Sequence, residues 1–330
     1  MRKKRIFRFR QSRAEHPDPV ILTRAAAVAF SSEDGPVHWT VGPRMVRNNS
    51  TLFPIRFLSR TAVVPGYYKE LHCPMTEREE EAWGRTMSAA LTRSQSLTEC
   101  CNGHCTSQGV RLARVLAVDP TALVCVTEAL HGSPFGHVLG HRMLRYAVTT
   151  GQRARVRRVT EGIGRVIRHL ESCSGQVASN GYFPRMAAPL LLDKVQAQGH
   201  LSNREVASLH DRINAMHEQA DLEGEGFVYA HCDLSPQNMI LEEGGVGIYD
   251  AQFEPRLRGY DIAHLAFRLE YQTVVTSWSR ALIDALLEGY EDSGVTTSTG
   301  WRFTRLWLAL RFVQNVRWTK PAMREIRPYL

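Results

Sequence analysis

Residues 227–250 read Phe-Val-Tyr-Ala-His231-Cys232-Asp233-Leu234-Ser235-Pro236-Gln237-Asn238-Met-Ile-Leu-Glu-Glu-Gly244-Gly245-Val-Gly-Ile-Tyr249-Asp250. Apolar runs flank a polar loop, and a further apolar run beyond the glycine pair ends on a carboxylate. The pattern predicts a strand, a loop and a short hairpin. Asp233, Asn238 and Asp250 are the oxygen-bearing side chains at its key positions. Phosphoryl transfer asks for such groups: one to orient and deprotonate the attacking hydroxyl, and oxygen ligands to hold magnesium against phosphates.

The spacing His231-x-Asp233-x-x-x-x-Asn238, followed by Asp250, resembles the kinase catalytic loop and its metal-binding aspartate. The local sequence His-x-Asp-Leu-Ser-Pro-x-Asn is most similar to the aminoglycoside phosphotransferase and choline kinase superfamily, whose members mostly phosphorylate small molecules. The resemblance implies Asp233 as catalytic base, Asn238 and Asp250 as Mg2+ ligands, and His231 as a support of the catalytic loop. It implies ATP and Mg2+ as cofactors and a small-molecule hydroxyl as acceptor. The implied fold is α+β and bilobal, protein-kinase-like: a small N-terminal antiparallel sheet with one helix, then a larger, mainly helical C-terminal lobe. Arg258-Gly259-Tyr260-Asp261-Ile262-Ala263 resembles the segment in which an aspartate opens a helix and bonds back to the catalytic loop. Asp261 also reads simply as a helix N-cap.

A second signal is compositional. Of 41 lysines and arginines only five are lysines, and Lys69 is the only one between positions 5 and 193. It sits on the β-prone run Tyr67-Tyr68-Lys69-Glu70-Leu71. A compact ammonium fits among phosphate oxygens where a planar guanidinium needs different room, so Lys69 is read as the nucleotide-phosphate lysine. Glu79, Glu80 and Glu81 follow on a predicted helix that starts near Thr76. Glu79 best matches the family's Arg-Glu-x-Glu-Ala pattern as the lysine's partner, although Thr76 and Glu79 also fit a capping box. The run Ala122 to Gly132 resembles the fifth strand and hinge of a kinase fold, with backbone groups near Glu128 to Leu130 pairing with adenine.

The sequence departs from the family in places. No Gly-x-Gly-x-x-Gly loop precedes Lys69; Arg47-Asn48-Asn49-Ser50-Thr51 stands there, and Asn49 and Ser50 are its candidates for phosphate contact. Asp250 is followed by Ala251-Gln252 instead of an aromatic and a second acid. Ser235 replaces the lysine of most protein kinases, which favours a small-molecule acceptor. These departures leave two alternatives open: a pseudokinase-like nucleotide-binding module without transfer, and a kinase acting on a membrane lipid or glycolipid.

A formal charge of +8 suits phosphate-bearing ligands, anionic lipid or nucleic acid without choosing among them. No nucleic-acid module or aromatic-basic repeat is present, so nucleic acid is disfavoured. Seven of the basic residues fall within positions 1–13, interleaved with Ile6, Phe7 and Phe9. A solvated tail is the simpler reading of that arm; the other is peripheral contact with an anionic membrane. The chain lacks a spanning apolar run and a signal-like h-region, and seven cysteines without framework spacing suit a reducing compartment, so a cytoplasmic location is expected. Cys100, Cys101, His104 and Cys105 lack a second Cys-x-x-Cys half and are read as ordinary thiols near a turn at Asn102-Gly103.

Three parts are expected: a basic extension over 1–36, a nucleotide-binding N-lobe over 37–129, and a C-lobe over 130–330 carrying the catalytic loop and acceptor site. Strands are predicted at Val37–Val41, Thr51–Phe57, Tyr67–Leu71, Arg111–Val118 and Thr121–Thr127. Val156, Val159, Ile163, Val166, Ile167 and Leu170 recur at helical spacing, as do Val206, Leu209, Ile213 and Met216. Later helices are expected over Asp261–Thr273, Ser277–Tyr290 and Trp301–Trp318.

Overall fold

The computed structural model describes residues 15–47, 50–72, 77–106, 109–140, 150–174, 177, 191–222, 226–272, 276–313 and 319–330. In chain order the elements begin with helix α1 (Pro19–Ala29) and strands β1 (His38–Val41), β2 (Met45–Val46), β3 (Ser50–Leu58) and β4 (Val63–Leu71). Helix α2 (Glu77–Cys105) and strands β5 (Val110–Leu112), β6 (Val115–Asp119) and β7 (Val124–Glu128) follow. The chain then runs through β8 (Ser133–Pro134), α3 (Phe135–Gly140), α4 (Thr150–Cys173), α5 (Asn203–Leu222) and β9 (Phe227–Ala230). Strands β10 (Met239–Glu242), β11 (Gly245–Ile248) and β12 (Glu254–Leu257) precede helices α6 (Tyr260–Gln272), α7 (Thr276–Tyr290), α8 (Thr299–Phe312) and α9 (Thr319–Ile326). The result is the expected α+β chain, sheet-rich in its N-terminal part and helical in its C-terminal part.

Two compact units divide the chain: residues 1–102 with 112–131, and residues 103–111 with 132–330. The first holds a six-stranded antiparallel sheet in the order β1-β3-β4-β7-β6, with β2 added on β3. One face of this sheet presents Phe53, Ile55, Phe57, Tyr68, Leu116, Val124 and Val126, and Ile21, Leu22, Ala25 and Ala26 of α1 pack on it. Helix α1 is started by Asp18, whose carboxylate accepts from Val20 N at 2.8 Å, and by Pro19 at the first helical position. Burying Ile21 and Leu22 there contributes roughly 3–6 kcal/mol.

Residues 1–36 are therefore not an extension throughout, because residues 19–29 belong to the first unit's core. The signal was present in Asp18-Pro19 followed by apolar residues one turn apart, but it is a stripe of only four residues rich in alanine. The basic arm 1–13, with its expected membrane contact, lies outside the described residues. Among the described residues no helix is long and apolar enough to cross a membrane.

Two further expectations change. The turn at Asn102-Gly103 is absent, since α2 continues through it to Cys105. The Asn102 side chain instead holds the backbone of Leu112, donating to its carbonyl at 2.9 Å and accepting from its N–H at 2.8 Å. The single strand expected over 111–118 is two, β5 and β6, separated at Ala113-Arg114, where the Arg114 carbonyl accepts from Glu128 N at 2.9 Å and a bulge follows.

In the second unit the helical stripes bury as their spacing implies: Leu209 and Ile213 join Phe267, Phe303, Leu306, Leu310 and Ile326 in one cluster. Helices α4 and α7 meet backbone to backbone at Gly164 and Gly289. A Cβ on Gly164 would lie 2.2 Å from the Leu286 carbonyl oxygen, and one on Gly289 would lie 1.9 Å from that of Glu161. Gly164→Ala must push the helices apart, so thermal unfolding should show a loss of about 1–3 kcal/mol. An unchanged melting midpoint would contradict this crossing.

Candidate active site

The site grows out of the β10–β11 hairpin. The two strands pair antiparallel from Glu242 opposite Gly245 to Met239 opposite Ile248. The ladder runs one step further, with Tyr249 N donating to the Asn238 carbonyl at 3.0 Å. Register alone thus brings Asn238 beside the Tyr249-Asp250 peptide, twelve positions away in sequence. On the other side, Pro236–Asn238 form a 3-10 turn in which Asn238 N donates to the Ser235 carbonyl at 2.9 Å. That turn folds Asn238 back on Asp233.

The Asn238 amide donates through Nδ2 to the Asp233 carbonyl and to its carboxylate Oδ2, both at 2.9 Å. Both partners are acceptors only, so the amide nitrogen must face them and Oδ1 is left as the oxygen for another ligand. Asp233 is half-buried and Asp250 exposed. An amide oxygen and a carboxylate make a hard-donor set suited to Mg2+.

His231 ties the two halves of the loop together. Its Nε2 lies 3.1 Å from the Tyr249 carbonyl, which only accepts, so Nε2 carries the proton. Nδ1 then accepts from Asp233 N at 3.4 Å. Burial pushes the imidazole pKa down, against the pull of the Asp233 and Asp250 charges, in keeping with a neutral ring. His231 is a positioning residue, and its carbonyl also accepts from Gln252 N at 3.1 Å.

Asp261, in the first turn of α6, accepts from His231 N at 2.5 Å and Cys232 N at 3.0 Å. It is 2% exposed, and burial pushes its pKa up to about 7 although both N–H bonds pull it down. Cys232 has φ 70°, Asp250 φ 67° and Phe253 φ 47°, left-handed values that non-glycine residues rarely adopt. Such backbone concentrates where a surrounding network over-determines it. Strand β12, which the sequence reading missed, closes the loop's far side by pairing antiparallel with β9. It carries a buried ion pair, Arg256 to Glu254 at 2.6 Å.

The remaining candidates belong to the first unit. Lys69 is half-buried near the C-terminal end of β4, opposite Leu52 and Cys125. Ser50 pairs with Leu71, so strand alternation puts Ser50 and Lys69 on one face of the sheet, the face away from α1. Asn49 lies outside the described residues. Glu79 lies in α2, and its side chain, like those of Glu80 and Glu81, lies outside them too. Glu128 ends β7, buried, with its carboxylate on Arg114 Nε at 2.8 Å. The N–H of Glu128 donates to the Arg114 carbonyl and that of Ala129 to the Pro65 carbonyl, both at 2.9 Å, so of the expected hinge residues Leu130 is the first whose N–H is not spent in these contacts.

Residues 104–307 match the phosphotransferase enzyme family, a span that holds the loop of Asp233 and Asn238, Asp250 and Asp261 but not Lys69. Among curated proteins, none matches the sequence. Among solved structures, a fructosamine-3-kinase candidate from Thermobifida fusca is similar with TM-score 0.54 and 15% identity, covering 92% of this chain and 98% of that one. Choline kinase from Cryptosporidium parvum is similar with TM-score 0.51 and 10% identity over 94% of this chain and 93% of its own. The ADP-bound aminoglycoside phosphotransferase APH(2'')-Ib gives 0.50 and 11% over 95% and 97%. At such identities these likenesses show the shared fold. With the family match spanning well over half its length, the chain belongs to the phosphotransferase enzyme family.

Proposed function

We propose that this chain transfers the γ-phosphoryl group of ATP to a hydroxyl of a small molecule, with Asp233 as the base. The observation that supports it most is the bond from Asn238 Nδ2 to the Asp233 carboxylate, made where the hairpin register sets Asn238 beside Asp250. Asn238 holds one carboxylate oxygen of Asp233, and the other is left to orient the acceptor hydroxyl. The proton passes from that hydroxyl to Asp233 as the hydroxyl oxygen bonds to phosphorus and ADP leaves. Magnesium, when bound, supplies positive charge that offsets the phosphate oxygens. Asn238 Oδ1 and the Asp250 carboxylate are the groups that would hold it. Lys69 and Ser50 are assigned to the nucleotide phosphates, and the backbone at Leu130 to the adenine edge. The proteins of similar fold are named for fructosamine, choline and aminoglycosides, which are small molecules.

Nucleotide use is tested by thermal titration with ATP. Binding at a hundred times Kd adds about 2.7 kcal/mol to the folded state. The wild-type melting midpoint should therefore rise with ATP and magnesium together. In Asp250→Asn the magnesium-dependent part of that rise should disappear, while Lys69→Ala should weaken the response to nucleotide with or without the metal. A midpoint indifferent to nucleotide in the wild type would remove this reading.

A further inference from the structure

Helix α6 is buried along almost its whole length, yet it carries a polar stripe: Asp261, His264 and Arg268. Seven residues are two helical turns, so Arg268 lies on the same face as Asp261, roughly 10 Å further along the axis. Asp261 fixes the base of that stripe to the catalytic loop through His231 N and Cys232 N. The stripe therefore starts at the loop that carries Asp233 and leads away from it.

Arg268 is held in one orientation. Its Nε donates to His264 Nε2 at 3.4 Å, and its guanidinium lies 4.6 Å from the centre of the Phe312 ring. His264 is 2% exposed, and burial followed by the charges of Arg268 and Arg311 keeps its ring neutral, its pKa well below the ordinary value. With Nε2 accepting from Arg268, the proton sits on Nδ1, a buried group with no hydrogen-bond partner among the described residues. Among the described residues no carboxylate forms an ion pair with Arg268 or with Arg311. Burial disfavours the Arg268 cation, the Asp233 carboxylate favours it, and the neighbouring Arg311 opposes it. A half-buried arginine that repels its neighbour and has no carboxylate in ion-pair contact among the described residues is costly, and its forked terminal donors match an oxyanion.

We propose that the acceptor is an anionic hydroxy compound, a carboxylate or phosphate ester, whose oxyanion is held by Arg268 with Arg311 beside it while its hydroxyl faces Asp233. This rests on the phosphotransfer reading above and names the class of acceptor for the same site. The shared chemistry is the oxyanion, and the two sources are separated by experiment. A cationic acceptor would be repelled by Arg268 and Arg311 and is disfavoured by the same argument.

The test uses the full chain with ADP present throughout the thermal titrations, so that added phosphate does not report the nucleotide site. The probes are D-glycerate and glycerol 3-phosphate, with uncharged glycerol and cationic choline as matched controls. At least one anion should raise the melting midpoint while glycerol and choline leave it unchanged, and the responding arm identifies the oxyanion. Arg268→Gln should weaken that response roughly 10- to 100-fold. Arg268→Lys should restore part of it, and the response to ATP should be intact in both. Where the responding anion is also turned over, Arg268→Gln should raise its KM and leave kcat largely unchanged. A purely structural role would instead lower kcat for every acceptor.

No response to either anion, a response only to glycerol or choline, or an anion response that persists in Arg268→Gln combined with Arg311→Gln would each overturn the anion site. Asp233→Asn separates the two readings, since it should keep the anion shift and lose ADP release. Should it keep ADP release, the base assignment fails and the anion site stands.

Discussion

Asp233→Asn should lower ADP release in the presence of an accepted hydroxyl compound by about 10²–10⁴-fold, the usual contribution of a positioned general base. The change is nearly isosteric. The Asn238 amide keeps an oxygen to donate to at residue 233, and its second bond, to the 233 carbonyl, is untouched. His231 still accepts from the backbone N–H of residue 233. The melting midpoint should therefore move little, so that a fall in rate reports loss of the proton acceptor and not loss of the loop. Retention of the parental rate within a few-fold would mean that another group, or none, takes the hydroxyl proton.

Asp261→Ala should act in the opposite way, on stability first. The carboxylate is the acceptor for two buried N–H groups, of His231 and Cys232, and an orphaned buried donor costs about 1–3 kcal/mol, so the loss should be roughly 2–6 kcal/mol. Activity should fall as well, because Cys232 sits at φ 70° and needs those bonds to stay there. Denaturant unfolding of the variant at the parental midpoint would show that the loop is held by something else.

The same residue carries a pH signature. Its carboxyl has an ordinary value of 3.8 and is raised by burial to about 7 in the folded chain. The raised group contributes stability that is fully present below 3.8 and is lost as pH rises through about 7. At about 1.36 kcal/mol per pKa unit, the three-unit interval corresponds to roughly 4 kcal/mol. Asp261→Asn should remove that slope, measured as the difference from wild type in unfolding free energy between pH 4 and pH 7. The ionised form is the one that accepts both N–H bonds, so activity should fall over the interval in which stability rises.

The loop and hairpin over 231–250 were legible because their residues are written in order: Asp233, an amide five residues on, a glycine-marked turn and a carboxylate. The bonds from His231 N and Cys232 N to Asp261 were legible through the resemblance of Arg258–Ala263 to the family's segment. Lys69 stood out only because the chain otherwise prefers arginine. Other features depend on partners distant in sequence. Strand β12 reads Glu254-Pro255-Arg256-Leu257, a proline between opposite charges, which looks like a solvated turn. In the fold, alternation puts Glu254 and Arg256 on one buried face, where they neutralise each other, and Pro255 is tolerated because among the described residues only β9 pairs with this strand. Helix α1 was hidden by its small side chains, which gain burial only against the sheet. The stripe Asp261, His264, Arg268 was visible at helical spacing, but its meaning depends on Arg311 and Phe312, some forty residues away.

The hairpin register has a further consequence for how this site tolerates change. Asn238 and Asp250 are neighbours because eleven peptide steps separate 238 from 249 and a two-residue turn folds them evenly. The arrangement is a ruler made of chain length, indifferent to most side chains along it. Substitutions in the Glu243-Gly244 tip should accumulate freely, whereas deleting one residue within β10 or β11 would carry Asp250 to the opposite face of the ladder. The site is thus protected against exchange of letters and exposed to a change in their number.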